Sequence, residues 1–316
     1  MHPKVSVIIP TYNRESYLYL AIKSVLDQTF EDFEIIVVDD ASTGSIREVI
    51  NNFNDDRIRY IRHKQNKGGS AARNTGIVRS KGEFIAFLDD DDLWIPEKLE
   101  KQLELINRKP EISIVYSGVK VINKSGRIIG SRIPFARVRG NILPYILKKN
   151  YIGGCSMVLL RKECFNRVGL FDENLPASQD YDMWIRLAKQ FQFDYVGEPL
   201  VLYRVHQKRI TANPCLKLRA QELIFKKFST HLNARINRRE ILGYWHYGIG
   251  KSYCQCGDMW RGRKEFVKAI TKDPCSLLYF VRLFASFFGL TAHNALDRII
   301  RSKLLASSVY VHYYYL

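Results

Sequence analysis

Phe87-Leu88-Asp89-Asp90-Asp91-Asp92-Leu93-Trp94 is the stretch on which the reading of this chain turns. The apolar run Phe84 to Leu88 delivers four consecutive carboxylates to one point. A short apolar run bounded by polar residues reads as a buried strand, so the acids belong at its C-terminal edge. Four adjacent like charges repel and destabilise a fold unless something neutralises them. A hard divalent cation, Mn²⁺ or Mg²⁺, does so, being held by one or two carboxylates together with substrate phosphates. A solvated acidic turn is the alternative. The strand before the tetrad and Trp94-Ile95-Pro96 after it make the turn rigid, which favours a metal-diphosphate site.

Outward from the tetrad, apolar β-rich runs alternate with helical spacing. Val5 to Ile9, Glu34 to Val38, Ile58 to Ile61, Glu83 to Leu88 and Ile112 to Tyr116 read as strands. Ser16 to Leu26, Ile46 to Phe53, Ala71 to Val78 and Glu97 to Ile106 carry helix-spaced apolar positions, with Pro96 expected in the first turn of the last. Such alternation predicts an α/β fold whose mainly parallel sheet is sandwiched by helices. Ligands of such sheets bind beyond the C-terminal strand ends. Here those ends are Pro10-Thr11-Tyr12-Asn13, Asp39-Asp40-Ala41-Ser42 and the tetrad. The third strand leads into Asn66-Lys67-Gly68-Gly69-Ser70-Ala71-Ala72-Arg73-Asn74, a Gly-rich turn whose backbone N–H groups, with Arg73, suit a diphosphate or ribose. Each block alone is weak; their convergence on one edge is the signal.

Asn123 to Lys149 reads as a hairpin followed by a basic excursion, and Gly153 to Leu160 as a further strand. Residues 180 to 190 form an amphipathic helix with Asp180 at its mouth, where an aspartate also serves as N-cap.

Composition separates two regions. The chain has 316 residues, enough for two domains or for one large domain with an appendage. Residues 207 to 316 hold 19 Lys and Arg against 6 Asp and Glu, a net +13 out of +17, so the last third is a basic module and the rest is nearly balanced. The asymmetry points to a polyanionic partner or to a merely solvated basic surface. No apolar run reaches the roughly 20 residues that span a bilayer, and Met1 leads into Lys4 to Pro10 with no export-type segment. The six cysteines are scattered, only Cys254 and Cys256 are close, and no zinc pattern is completed. A reduced, cytoplasmic protein is the simplest expectation.

Val5 to Asn13, Val37 to Ser42, Asn66 to Asn74, Phe87 to Trp94 and Gln179-Asp180-Tyr181-Asp182 together resemble family 2 glycosyltransferases, over roughly residues 4 to 206 and in the same order. The resemblance implies the GT-A fold and an inverting, divalent-cation-dependent transfer from a nucleotide-diphosphate sugar, UDP-linked, to a glycan or lipid-linked acceptor. Position by position it implies Pro10 and Tyr12 bordering the base, Asp40 hydrogen-bonded to it, and Arg73 and Asn74 near the donor. Asp89 and Asp91 match the Asp-x-Asp motif, with Asp91 the direct metal ligand and Asp89 also nearer the ribose. Asp180 matches the catalytic base, with Gln179 where Glu is usual. His206 matches a late histidine that closes over the diphosphate in some relatives, and is otherwise a plain surface residue. The implied domains are 1–213, with a nucleotide-sugar-binding half (1–117) and an acceptor half (118–213), and a mostly helical basic extension (214–316).

Other readings fail on particular residues. A dinucleotide fold needs Gly-x-Gly-x-x-Gly where Pro-Thr-Tyr-Asn stands, and Gly250-Lys251-Ser252 lacks the first glycine of a phosphate loop because residue 245 is Trp. A sugar nucleotidyltransferase would need a Gly-rich, Arg/Lys-bearing opening loop. A non-catalytic nucleotide-sugar binder or glycan-assembly scaffold survives as the rival. In the extension, Gly250, Tyr253, Gly262, Phe266, Ala269 and Pro274 have the spacing of one tetratricopeptide-like helical hairpin. Leu277 to Leu290 is too short to span and is either a buried helix or an interfacial helix on anionic lipid, at the inner face of the plasma membrane. No nucleic-acid-binding motif is present.

Overall fold

The computed structural model describes residues 2–132, 138–206, 213–232 and 237–306. Part of the basic excursion expected between 123 and 149, residues 133–137, and the last ten residues lie outside that set. The chain divides into two compact units. Unit 1 is residues 1–143, 151–173 and 179–206; unit 2 is residues 144–150, 174–178 and 207–316. The sequence reading drew one boundary at 213/214. The structure draws it at 206/207 and groups two short internal segments with the C-terminal helices, because side chains there, such as Trp245 and Glu240, bond to Leu147 and Lys148.

Unit 1 is built on one mixed sheet. Its strands are β1 (Val5–Thr11), β2 (Phe33–Asp39), β3 (Ile58–Arg62), β4 (Phe84–Phe87), β5 (Leu93–Trp94), β6 (Ile112–Ile122), β7 (Ile128–Arg132), β8 (Val158–Arg161) and β9 (Gln192–Arg204). The spatial order is β3-β2-β1-β4-β8-β6-β9-β5, with β7 paired to β6. β3, β2, β1 and β4 pair in parallel; β8 runs against β4 and β6, and β6 and β9 are again parallel. β1 and β2 are buried along their whole length, as expected for central strands with helices on both faces.

The helices of this unit are α1 (Glu15–Leu26), α2 (Ile46–Asn51), α3 (Gly69–Arg79), α4 (Lys98–Arg108), α6 (Cys164–Val168) and α7 (Gln179–Ala188); α5 (Leu143–Lys148) leads into unit 2. Gly76 sets how closely α3 lies on the sheet, since a Cβ there would stand 2.4 Å from Ile8. Two expectations shift locally. Pro96 falls in the turn before α4, not inside its first turn. The strand expected at Gly153 to Leu160 opens with a 3-10 turn over Cys155–Met157, and only Val158–Arg161 is extended.

The described helices of unit 2 include α8 (Pro214–Phe228), α9 (Arg238–Gln255), α10 (Met259–Lys272), α11 (Leu277–Phe287) and α12 (Gly289–Ala306). α9 and α10 form the expected hairpin, turned at Gly257 (φ +91°) and capped by the Asp258 carboxylate on the Arg261 N–H. They cross at two glycines, where a Cβ on Gly262 would lie 2.4 Å from Cys254 Sγ and 3.0 Å from the Gly250 carbonyl. Tyr247, Cys254, Phe266, Ala269 and Tyr279 make the core of the hairpin with α11. The expectation of six free thiols is corrected: Cys215, at the start of α8, is joined to Cys256, at the end of α9. The two are 41 residues apart in sequence, beyond what cysteine spacing could indicate.

Candidate active site

The parallel register carries the functional residues to one edge. β1 pairs with β2 from Val5↔Phe33 to Thr11↔Asp39, and with β4 from Val5↔Phe84 to Ile8↔Phe87. The segments Pro10–Asn13, Asp39–Ser42 and Asp89–Asp92 therefore leave the sheet side by side. The backbone is strained at this edge: Asn13 (φ 53°) and Ala41 (φ 64°) are in the left-handed region. Such non-glycine conformations persist where surrounding bonds hold them. Asn13 is held by its Oδ1 accepting from the Thr43 N–H at 2.8 Å and its own N–H donating to Ser42 Oγ at 2.9 Å. Tyr12 is half-exposed here, an aromatic face without a cover.

The four carboxylates of the tetrad divide into two pairs. Asp90 and Asp92 are buried beneath the edge. Asp90 accepts from Thr11 Oγ1 (2.9 Å) and Arg14 Nη1 (2.9 Å). Asp92 accepts from Ser156 Oγ (2.7 Å) and from the Arg204 N–H (2.9 Å), so one carboxylate ties the 3-10 turn and the end of β9 to the tetrad. Burial pushes the Asp90 pKa up to about 7 against the pull of Arg14, and pushes Asp92 well above the carboxylate range.

Asp89 and Asp91 are the less buried pair, and both are ion-paired. Asp89 Oδ1 meets Arg73 Nη2 at 2.5 Å, and its N–H donates to Ser156 Oγ. Asp91 Oδ2 lies 2.8 Å from Arg14 Nη1 and 2.9 Å from His206 Nε2. His206 is thus not a plain surface residue: its side chain is buried at Asp91, near the Tyr17 ring. The repulsion expected from four adjacent acids is answered by Arg14, Arg73 and His206 and by the raised affinities of the inner pair for protons.

Asp180 is the second residue of α7, which excludes it as the N-cap. It is close enough to Arg73 and Asp89 for their charges to act on it. Burial pushes its pKa up to about 6, opposed by the Tyr181 N–H, which donates to Oδ1 at 2.8 Å, and by Arg73. Cys155 lies in the same electrostatic neighbourhood, and burial raises its thiol. A carboxylate poised near neutrality beside a donor-type cluster is suited to take a proton from a hydroxyl.

Two other expected residues spend their side chains on the frame. Asp40 accepts from the Lys67 N–H (2.9 Å) and the Gly68 N–H (2.7 Å), and contacts His63 Nδ1 at 2.7 Å. Two amides of the Gly-rich turn, read from sequence as phosphate donors, are therefore committed to Asp40. The Asn74 amide donates to the Phe171 carbonyl and Glu173 Oε1 and accepts from the Phe171 N–H, clamping α3 to the loop ahead of α7. Ser70 Oγ, at the start of α3, and Arg73 Nε are buried with no partner among the described residues.

A divalent cation fits this set by donor type. Asp91 and His206 offer a carboxylate and an imidazole at one point, and Mg²⁺-type sites take one or two protein ligands plus substrate phosphates. No cluster of three or more His, Cys, Asp or Glu forms a cation cage among the described residues. Sequence reading missed Arg14, Ser156 and Arg204. Ser156 and Arg204 are far from the tetrad in sequence and carry no motif, while Arg14 follows Asn13 directly and is the one that a charge count around four acids could have suggested.

Residues 6–169 match the glycosyl transferase family 2. The UDP-Glc:alpha-D-GlcNAc-diphosphoundecaprenol beta-1,3-glucosyltransferase WfgD of Escherichia coli is 33% identical over 249 residues, which is 78% of this chain and 94% of that one. Among solved structures, Staphylococcus aureus TarS 1-349 superposes with a TM-score of 0.59 at 19% identity, over 95% of this chain and 84% of that one. The mannosyltransferase PcManGT of Pyrobaculum calidifontis, in complex with GDP-Man and Mn²⁺, gives 0.58 at 16% identity, over 98% and 82%. These likenesses bear out the GT-A fold. The chain spans about a third of the length of some of the Rickettsia relatives it matches, 35% for that of Rickettsia felis. With a family match over more than half its length, this chain belongs to glycosyl transferase family 2.

Proposed function

We propose that this chain is an inverting glycosyltransferase. It moves a sugar from a nucleotide-diphosphate sugar to an acceptor hydroxyl, in the assembly of cell-surface polysaccharide, lipid-linked glycan or glycoprotein. The choice of a UDP donor rests on the E. coli relative, a UDP-Glc-dependent glucosyltransferase. The observation that carries the reading is the split of the tetrad: two acids anchor the frame, and the outer two stand by Arg73, His206 and the raised carboxylate of Asp180.

In this reading Pro10 and the exposed Tyr12 ring border the base, and Asp40 sits at the base end, holding the Gly-rich turn while sharing its oxygens with the base. Arg73 and Asp89 face the ribose and diphosphate, with Asn74 fixing the helix that carries Arg73. Asp91 and His206 would hold Mn²⁺ or Mg²⁺, with Asp89 alongside, and the ion when bound neutralises charge on the leaving diphosphate. Asp180 takes the proton of the acceptor hydroxyl as its oxygen bonds to the anomeric carbon, while the bond from that carbon to the diphosphate oxygen breaks on the opposite face. Ionised, Asp180 accepts that proton; Arg73 beside it favours the ionised form.

The test is a turnover screen across nucleotide sugars with Mn²⁺, reading release of nucleotide diphosphate with and without glycan or lipid-linked acceptors. Turnover of one donor supports the reading. Donor binding without turnover for any donor and acceptor would overturn it in favour of a non-catalytic scaffold.

A further inference from the structure

The outer face of α11 is built the wrong way round for a helix that ends at water. Leu277, Phe280, Val281, Phe284, Phe287 and Phe288 recur at the i, i+3, i+4, i+7 spacing of one helical face, continuing past the last helical residue to Phe288. All are exposed: Leu277 by 75%, Phe284 by 66%, Phe287 by 62%. The opposite side, which is buried, carries Tyr279, Arg282 and Ser286. Arg282 is satisfied there, its Nε donating to Tyr247 Oη (3.3 Å) and its Nη1 to the His293 carbonyl (3.2 Å). The inner side is mixed, Leu278 and Leu283 packing on the core beside Arg282 and Ser286, and the phenylalanine side is outside. α10 extends the surface with Trp260, 61% exposed, and Val267. Cations are interleaved with the rings: Arg263 stacks over Phe287 (4.5 Å) and Lys264 Nζ lies 3.4 Å from the centre of Trp260.

We infer that this face docks on an anionic lipid bilayer. An exposed apolar patch flanked by lysine and arginine is the chemistry of an interfacial helix, whose rings enter the headgroup boundary while the cations meet lipid phosphates. Residues 207–316 carry net +13, which attracts an anionic surface and opposes pairing of this face with a second copy of itself. At 11 residues α11 reaches only ~16 Å, so it lies along a membrane. No described helix is long and apolar enough to cross one. The inference does not depend on the transfer chemistry.

The full chain is tested by co-sedimentation with phosphatidylcholine vesicles containing or lacking about 30 mol% phosphatidylglycerol. The wild type should bind the anionic vesicles, and binding should fall as salt rises to ~0.5 M, because part of the attraction is screened charge. Phe284→Glu with Phe287→Glu should lower partitioning at least ~10-fold through loss of buried apolar area, with the circular dichroism spectrum and the donor turnover unchanged. Lys264→Glu with Lys268→Glu should weaken binding to anionic vesicles only. Equal sedimentation on both vesicle types, or no effect of the phenylalanine changes, overturns the inference. So does a wild-type dimer that those changes convert to monomer. Wild-type binding that appears only on deletion of residues 307–316 would overturn it too, making the chain's own tail the occupant of the face.

Discussion

The two units break the usual rule of burial in opposite ways. Unit 1 buries acidic side chains: Asp90 and Asp92 lie under the sheet edge. Unit 2 exposes apolar rings along α11. Each departure costs stability, and each is answered differently. The buried acids find partners inside the protein, in Thr11, Arg14, Ser156 and the Arg204 backbone, so their cost is met during folding. The exposed rings have neighbouring cations but no cover among the described residues, and the proposed lipid surface would supply it. An internal answer marks a frame, an external one a surface for a partner.

Five substitutions, one of them a control, and a pH profile separate frame from function in unit 1 and test packing in unit 2. The largest effect belongs to Asp91→Ala, which should abolish Mn²⁺-dependent donor binding while the protein remains folded. Calorimetry with donor and Mn²⁺ reads it, and an unchanged affinity would return Asp91 to the frame. Asp180→Asn should cut transfer by at least ~10²-fold with donor affinity retained. Activity persisting in that variant would make Asp180 structural. Asp92→Ala should cost stability instead, about 1–3 kcal/mol, because Ser156 Oγ and the Arg204 N–H lose a buried acceptor. Denaturant unfolding measures this, and a neutral result would show that the inner acids carry no frame.

For unit 2, Gly262→Val should destabilise by about 1–3 kcal/mol, since the new side chain meets Cys254 and the facing helix. Gly248→Ala, whose Cβ would have no neighbour nearer than 3.5 Å, serves as the tolerated control. If both are tolerated, the α9–α10 crossing is looser than the geometry requires. The smallest effect is that of pH. A base works ionised, and the Asp180 pKa is raised to about 6, so kcat/KM should be level above that pH and fall as pH drops through it. The expected loss is about tenfold at pH 5, and the limb should vanish in the residual activity of Asp180→Asn.

Sequence by itself determined the parts governed by local pattern. Apolar runs gave the strands, 3.6-residue spacing gave the helices, and the strand ends gave the edge at which the acids gather, because short-range periodicity fixes which face is buried. Five motif blocks pointed to the family. The charge asymmetry, the α9–α10 hairpin and the apolar run at Leu277 were legible for the same reason. Tertiary structure decided what depends on partners distant in sequence. Adjacent acids look alike in sequence. Thr11, 79 residues before Asp90, and Ser156, 64 after Asp92, select which of them face inward. His206, which the sequence left open between a diphosphate-closing residue and a surface one, is buried against Asp91 because β9 ends beside it. Cys215 and Cys256 met because α8 lies on α9. Leu277 to Phe288 could face in or out by pattern alone. Packing turned Arg282 and Tyr279 inward, where Arg282 meets Tyr247 and the His293 carbonyl, and left the phenylalanines exposed.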